Sequence, residues 1–289
     1  MRFLNRPLGR LSRHRRGPVA GLLVVLLGLL LTGGLYAAFS PSSSAHEDDS
    51  AAQVEKGHQL FLVGCSFCHG TNGQGVKTLD GNQLGPSLVG VGAAAVDFQV
   101  GTGRMPAVQP GPQIPQKDRR QYTPDEIADL AAYVASLGPG PAIPSPQDYS
   151  LDGISAEQRQ EMITRGGEIF LTNCTACHNF EGAGGAMPRG GYAPKIRGVA
   201  PKYVFEAMLT GPQAMDNFSN GNLSVSEKRD IIAYLQSLED NPGYGGFGMG
   251  GIGPVSEGVF AWIVGIGSLV GVAIWIAAHT ARSSKTKAE

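Results

Sequence analysis

Cysteine is scarce in this chain: 289 residues hold four, Cys65, Cys68, Cys174 and Cys177. All four sit inside two short motifs, so none is left over for a separate disulfide framework. Net charge is equally slight, −1 at pH 7, which offers no basic excess of the kind nucleic acid draws; no nucleic-acid partner is expected. Charge is missing outright from two long stretches, 17–40 and 258–278. The first is dominated by GLLVVLLGLLL and the second reads GVFAWIVGIGSLVGVAIWIAA. Each reaches the roughly 20 residues that carry a helix across a bilayer. The chain has only two tryptophans, Trp262 and Trp275, near the ends of the second stretch, where indole rings favour the membrane interface.

The charges that are present are sorted along the chain. Residues 46–255 carry 14 basic and 22 acidic side chains. The other nine basic residues flank the apolar stretches: Arg2, Arg6, Arg10, Arg13, Arg15 and Arg16 before the first, then Arg282, Lys285 and Lys287 after the second. By the positive-inside rule both termini lie in the cytoplasm and the acidic middle lies outside the cell membrane. A cleavable signal peptide competes for the first stretch, with a basic start and small residues at Ser43-Ser44-Ala45. Its apolar run exceeds the ~7–15 residues of a signal core, which favours an anchor. The length of the chain leaves room for two domains between the spans.

The cysteines fall as Cys65-Ser66-Phe67-Cys68-His69 and Cys174-Thr175-Ala176-Cys177-His178. C-x-x-C-H attaches c-type haem, and the spacing has a mechanical reason. Positions i, i+3 and i+4 share one face of a helical turn, so two thiols can bond the haem vinyl groups while the histidine reaches the iron. Disulfides, zinc binding and thiol redox chemistry also use paired cysteines. Two complete copies with no thiol to spare argue for two covalently bound haem c groups.

The second half repeats the first. Val54, Gly57, Leu60 and Phe61 match Ile163, Gly166, Ile169 and Phe170 at an offset of 109 residues, the same as Cys65 to Cys174. The matched glycines would let another helix approach closely. Downstream, Pro86 follows His69 by 17 residues and Pro194 follows His178 by 16. In c-type cytochromes a proline there offers its carbonyl to the imidazole N–H, which fixes the ring; a plain loop proline is the alternative.

Thr102-Gly103 and Thr210-Gly211 each precede a methionine, Met105 and Met215, 36 and 37 residues beyond their histidines. His/Met ligation raises the potential of a haem iron, and these two are the expected sixth ligands beside His69 and His178. Met187 and Met208 are rivals in the second repeat without counterparts in the first; methionine is more often adaptable filler. His58 would make the first haem bis-histidine, or is a helix-surface residue.

Each repeat closes with a capping box, Thr123 to Glu126 and Ser224 to Glu227. Leu130, Tyr133, Val134 and Leu137 then match Ile231, Tyr234, Leu235 and Leu238 on one buried helical stripe. The repeated tyrosine either packs in the core or reaches a haem propionate. Only the first repeat carries an insertion, 109–120, expected as a surface loop carrying contacts, or with its charges merely solvated. A Pro/Gly-rich linker at 138–145 is expected to be stiff.

An apolar N-terminal segment, two c-type domains in tandem and a C-terminal membrane helix resemble the dihaem cytochrome cc subunit of the actinobacterial cytochrome bcc complex, the menaquinol–cytochrome c reductase. The order of parts carries the resemblance, since the haem motifs alone fit any c-type cytochrome. It implies a mostly α fold of two tandem class-I cytochrome c domains plus N- and C-terminal transmembrane helices. It also implies Cys65, Cys68, His69 and Met105 around one haem and Cys174, Cys177, His178 and Met215 around the other. Implied partners are the cytochrome b and Rieske iron–sulfur subunits and an aa3-type oxidase, electrons passing from the Rieske protein to the oxidase copper without catalysis by the isolated chain. The expected division is 1–45 for the basic tail and N-terminal span (or signal peptide) and 46–138 for the first cytochrome c domain. A linker follows at 139–155, then the second domain at 156–240. A Gly-rich connection at 241–254, a C-terminal transmembrane helix at 255–279 and a basic tail at 280–289 complete it.

Competing readings are a dihaem subunit of a cbb3-type oxidase, which lacks a second span, and the cytochrome subunit of a membrane dehydrogenase, which usually carries three haem motifs. A dihaem peroxidase would need an openable iron site, against which two matched methionines stand.

Overall fold

The computed structural model describes residues 18–39, 44–111, 113–117, 121–187, 190–240 and 258–286. The Gly-rich connection at 241–254 and most of the terminal basic tails lie outside the described residues. The chain divides into two compact units, 1–52 and 53–289. Helix α1 (Pro18–Phe39) belongs to the first unit. Near the other end, a π-helical stretch, Ala261–Ile266, continues into a helix over Gly267–Thr286. Residues Pro18–Leu35 and Gly258–His279 are long and apolar enough to cross a membrane.

Along the chain between the two apolar helices the repeat is visible as two helical domains of one plan. In the first, α2 (Ser44–Gly64) leads into a single turn α3 (Ser66–His69), a small hairpin of β1 (Val76–Lys77) and β2 (Gln83–Gly85), then α4 (Gly92–Gly101) and α5 (Pro124–Ser136). In the second, α6 (Ala156–Asn173) leads into α7 (Thr175–His178), a hairpin of β3 (Gly185–Ala186) and β4 (Tyr192–Ala193), then α8 (Pro201–Thr210) and α9 (Val225–Asp240). The hairpins gave no sequence signal: strands of two or three residues are too short to show alternation.

The long helices form where expected. Thr123 Oγ1 accepts the Glu126 N–H while the Thr123 N–H donates to Glu126 Oε2 (2.8 Å), and Ser224 and Glu227 repeat the exchange (2.7 Å). These reciprocal bonds satisfy amides that a helix start would leave bare. The stripes behind the caps are buried: Leu130, Tyr133 and Val134 in one domain, Ile231 and Leu235 in the other. Each core is completed by a phenylalanine from the first helix, Phe61 or Phe170.

The matched glycines are the crossing points. A Cβ at Gly57 would collide with the Asp129 carbonyl oxygen, and one at Gly166 with the Asp230 carbonyl oxygen. Only glycine lets the two backbones meet there, so α2 closes on α5 and α6 on α9. The Pro/Gly-rich linker is held in place by hydrogen bonding and packing. The Pro141 carbonyl accepts the Ala94 N–H (3.1 Å), and Pro146–Tyr149 forms a helical turn packed on α8 and α9.

Candidate haem-binding sites

The two C-x-x-C-H motifs adopt the same backbone. In each, the preceding long helix ends at the first cysteine and a one-turn helix carries the rest of the motif. The His69 N–H returns to the Cys65 carbonyl (3.0 Å) and the His178 N–H to the Cys174 carbonyl (2.9 Å), so both thiols and the imidazole share a face.

Both histidines are buried, 8% and 9% exposed. His69 Nδ1 lies 2.8 Å from the Pro86 carbonyl oxygen and His178 Nδ1 lies 3.0 Å from that of Pro194. A carbonyl only accepts, so Nδ1 must carry the proton and Nε2 keeps its lone pair. That is the tautomer an iron ligand needs, and a histidine held this way is a stronger ligand. Burial lowers His178 from its ordinary pKa and outweighs the Pro194 bond, which pulls the other way, so burial favours the neutral ring. The two prolines expected from spacing thus do the same work in both domains.

Burial, with Cys68 adding, pushes Cys65 up to about 11, and Cys174 beside Cys177 likewise to about 11. A thiol so raised is a weaker nucleophile at neutral pH than the lowered thiols that thiol redox chemistry uses. Among the described residues no group of three or more His, Cys, Asp and Glu side chains is placed to hold a metal ion. Cys65 and Met105 pack against the core of the first domain, and Cys174 and Met215 against that of the second. Each expected ligand set is therefore gathered on one domain. An imidazole whose Nδ1 is held by a proline carbonyl, two thiols on the same turn and a thioether at the core edge fit a covalently held haem.

The rival ligands have other surroundings. Met208 is 4% exposed in the α8 face of the core, and Met187 lies at the β3–β4 turn, exchanging backbone hydrogen bonds with Gly190 and Gly191. His58 stacks on Tyr133 at 4.8 Å. The repeated tyrosines use their hydroxyls on backbone, Tyr133 on the Thr71 carbonyl (3.4 Å) and Tyr234 on the Phe180 carbonyl (3.1 Å). They tie the last helix of each domain to the loop beyond the haem motif, which agrees with the packing role.

The insertion at 109–120 departs from a free surface loop in its described part. Lys117 bonds back to the first domain: its N–H donates to the Gly103 carbonyl (3.1 Å) and its Nζ to that of Pro106. Gln113 and Ile114 bond across to the second domain, to Tyr192 and Gln213. A polar loop reveals nothing in sequence of where its hydrogen bonds go.

Two haem-type domains on one chain define a c-type cytochrome, and the family matches agree. Residues 54–138 match the family described as Cytochrome c, and residues 161–235 match Cytochrome C oxidase, cbb3-type, subunit III. Over the whole length the chain is 41% identical to the cytochrome bc1 complex cytochrome c subunit of Mycobacterium tuberculosis, across 94% of this chain and 95% of that one. It is 40% identical to the subunit of the same name from Corynebacterium diphtheriae, across 94% and 98%. The chain belongs to this family of cytochrome bc1 complex cytochrome c subunits. The cbb3-type resemblance is confined to one domain, as expected for a module shared between complexes. A chain of the Kuenenia stuttgartiensis reducing HAO-like protein complex is similar at a TM-score of 0.34 and 19% identity, over 64% of this chain and 96% of that one, too loosely to bear on function.

Proposed function

We propose that this subunit is a two-haem electron relay outside the cytoplasmic membrane, taking electrons from the Rieske iron–sulfur protein of a menaquinol-oxidising bcc complex and passing them to an aa3-type oxidase. The supporting observation is the paired imidazole–carbonyl bond, His69 to Pro86 and His178 to Pro194, which prepares an iron ligand in both domains alike. Cys65 and Cys68 hold the first haem with His69 and Met105 as axial ligands; Cys174 and Cys177 hold the second with His178 and Met215. The haem iron supplies one-electron chemistry; the chain supplies ligands, burial and position. The haem domains are taken as 46–138 and 156–240.

Cytochrome b is the expected neighbour in the membrane, and the two spans keep the relay close to donor and acceptor, a gain in effective concentration over a diffusing carrier. The basic residues at both ends support termini in the cytoplasm and haem domains outside. No substrate chemistry is assigned to the chain alone.

Mass spectrometry of the denatured protein tests the count: two haem increments are expected, and one increment defeats the assignment. Purification in mild detergent tests the setting, since cytochrome b, the Rieske protein and oxidase subunits should accompany the chain. A reduced spectrum shifted by carbon monoxide would point instead to a ligand-reactive, peroxidase-like haem.

A further inference from the structure

Two glutamine side chains join the domains in a reciprocal way. Gln113, in the insertion of the first domain, donates its Nε2 to the Tyr192 carbonyl and accepts the Tyr192 N–H at Oε1 (2.9 Å). Gln213, in the second domain, accepts the Ile114 N–H at Oε1 (3.0 Å) and donates its Nε2 to the Ile114 carbonyl (3.2 Å). Each amide pairs with both main-chain groups of one residue on the other domain, as a strand neighbour would.

What the two glutamines hold is specific. Tyr192 begins β4, and the second residue after it, Pro194, supplies the carbonyl that orients His178. Gln213 stands two residues before Met215. Its own backbone is left-handed, φ 59°, a conformation that is strained for a non-glycine residue and persists only where the surroundings enforce it. Four residues beyond Gln113, Lys117 is fastened to Gly103 and Pro106, on either side of Met105. One short segment thus touches the methionine loops of both domains and the proline loop of the second.

We propose that residues 113–117 form a clasp through which the first domain positions the axial ligands of the second haem, so that the second site is fully set only when the first domain is docked on it. Gln113 and Gln213 are positioning residues: they act through the loops carrying His178 and Met215. This rests on the reading of Met215 as the second iron's ligand, and the test separates the two.

The full-length haem-loaded chain is used with Met105→His as background, so that the weak ferric methionine–iron band reports the second haem alone. Gln113→Ala removes one amide. Gln213→Gly removes the other while keeping the left-handed backbone free of strain. The band is followed as pH rises, beside the midpoint potential of each haem and the thermal melting point, after mass spectrometry has verified both haems. Each clasp lost should favour the methionine-free form by about two- to fivefold, at the low end of what solvent-exposed hydrogen bonds contribute. The double variant should lose the band at distinctly lower pH, with a lower potential at the second haem only.

A double variant whose band and second-haem potential match the background, even with a lower melting point, overturns the clasp and leaves a purely structural contact. Met215→Leu must abolish the band. If Met208→Leu abolishes it instead, the ligand reading is wrong and the clasp falls with it.

Discussion

Glu206 stands beside Asp97 across the boundary of the two domains, fully buried, with no N–H or ammonium donor at either of its carboxyl oxygens. Asp97 comes from α4 and Glu206 from α8, and Lys202 one turn earlier on α8 pairs with Asp97. Phe98 and Tyr203 meet edge to face next to them, centroids 6.4 Å apart. Two carboxylates facing each other with one ammonium cannot both ionise out of water. Lys202 pairs with Asp97 rather than with Glu206, and Glu206 keeps its proton: burial first, then the neighbouring Asp97, pushes it up to about 9.

The consequence is a pH-dependent stability. Unfolded Glu206 loses its proton near 4.5, whereas the folded protein holds it to about 9. Between those values the folded form binds the extra proton, so raising the pH favours unfolding, by up to about 1.4 kcal/mol per pH unit. Below the lower value this contribution is fully present; above the upper one it is gone. Glu206→Gln, uncharged at every pH, should flatten the slope in chemical denaturation across that window. An unchanged slope would show that Glu206 ionises normally.

The glycine crossings predict a second effect. Gly57→Ala and Gly166→Ala each force a methyl group into a backbone carbonyl of the partner helix. Each should cost about 1–3 kcal/mol, as overpacking does, and lower the melting temperature. Gly221→Ala is the control, since the nearest atom to an added Cβ is Ser219 Oγ at 3.8 Å. Equal melting for all three would mean that the helices do not meet as closely as this.

Which features the sequence revealed follows from the range of the forces involved. Caps, helical stripes and the haem turn are set by neighbours a few residues apart, and doubling makes them unmistakable: Gly57 and Gly166 stand out as crossing points because they recur. The histidine–proline bonds span 17 and 16 residues yet were legible because both spacings recur with the motif. Gln113 to Tyr192 spans 79 residues and Ile114 to Gln213 spans 99, with no second copy to compare. Their partners are main-chain groups, which every residue possesses, so side-chain identity carries no trace of the pairing. The contact between Asp97 and Lys202 was equally hidden, because single charges on helices read as solvated groups.

A third prediction separates the methionines. Met208 fills the core, and its carbonyl accepts the Phe218 N–H (2.8 Å), a main-chain bond that a change of side chain leaves in place. Met208→Leu is a near-isosteric change and should cost under about 1.5 kcal/mol with the optical spectrum unaltered. Met215→His should remove the methionine–iron band of one haem and lower its potential, because imidazole favours the ferric state more than thioether does. Redox titration of both variants decides the matter. A silent Met215→His beside a lowered potential in Met208→Leu would reverse the assignment.

The last prediction concerns sidedness. Protease attack near 138–145 would be the natural probe of a linker between domains, but that segment is packed: the Pro141 carbonyl is bonded to Ala94, and a Cβ at Gly140 would press on the Gly92 backbone. The β1–β2 turn is a better reporter. Leu79 at its tip is fully exposed, and nothing lies within 4 Å of a Cβ at Gly81. An epitope inserted after Asp80 should therefore be tolerated, as insertions at exposed loop tips usually are. In intact spheroplasts that epitope should bind antibody and be removed by added protease, while a tag following Glu289 should resist until the membrane is opened. The reasoning is electrostatic: six arginines precede the first span and three basic residues follow the second, whereas the domains between carry an acidic excess. A C-terminal tag digested in intact spheroplasts, with the inserted epitope protected, would put the haem domains in the cytoplasm and exclude an external relay.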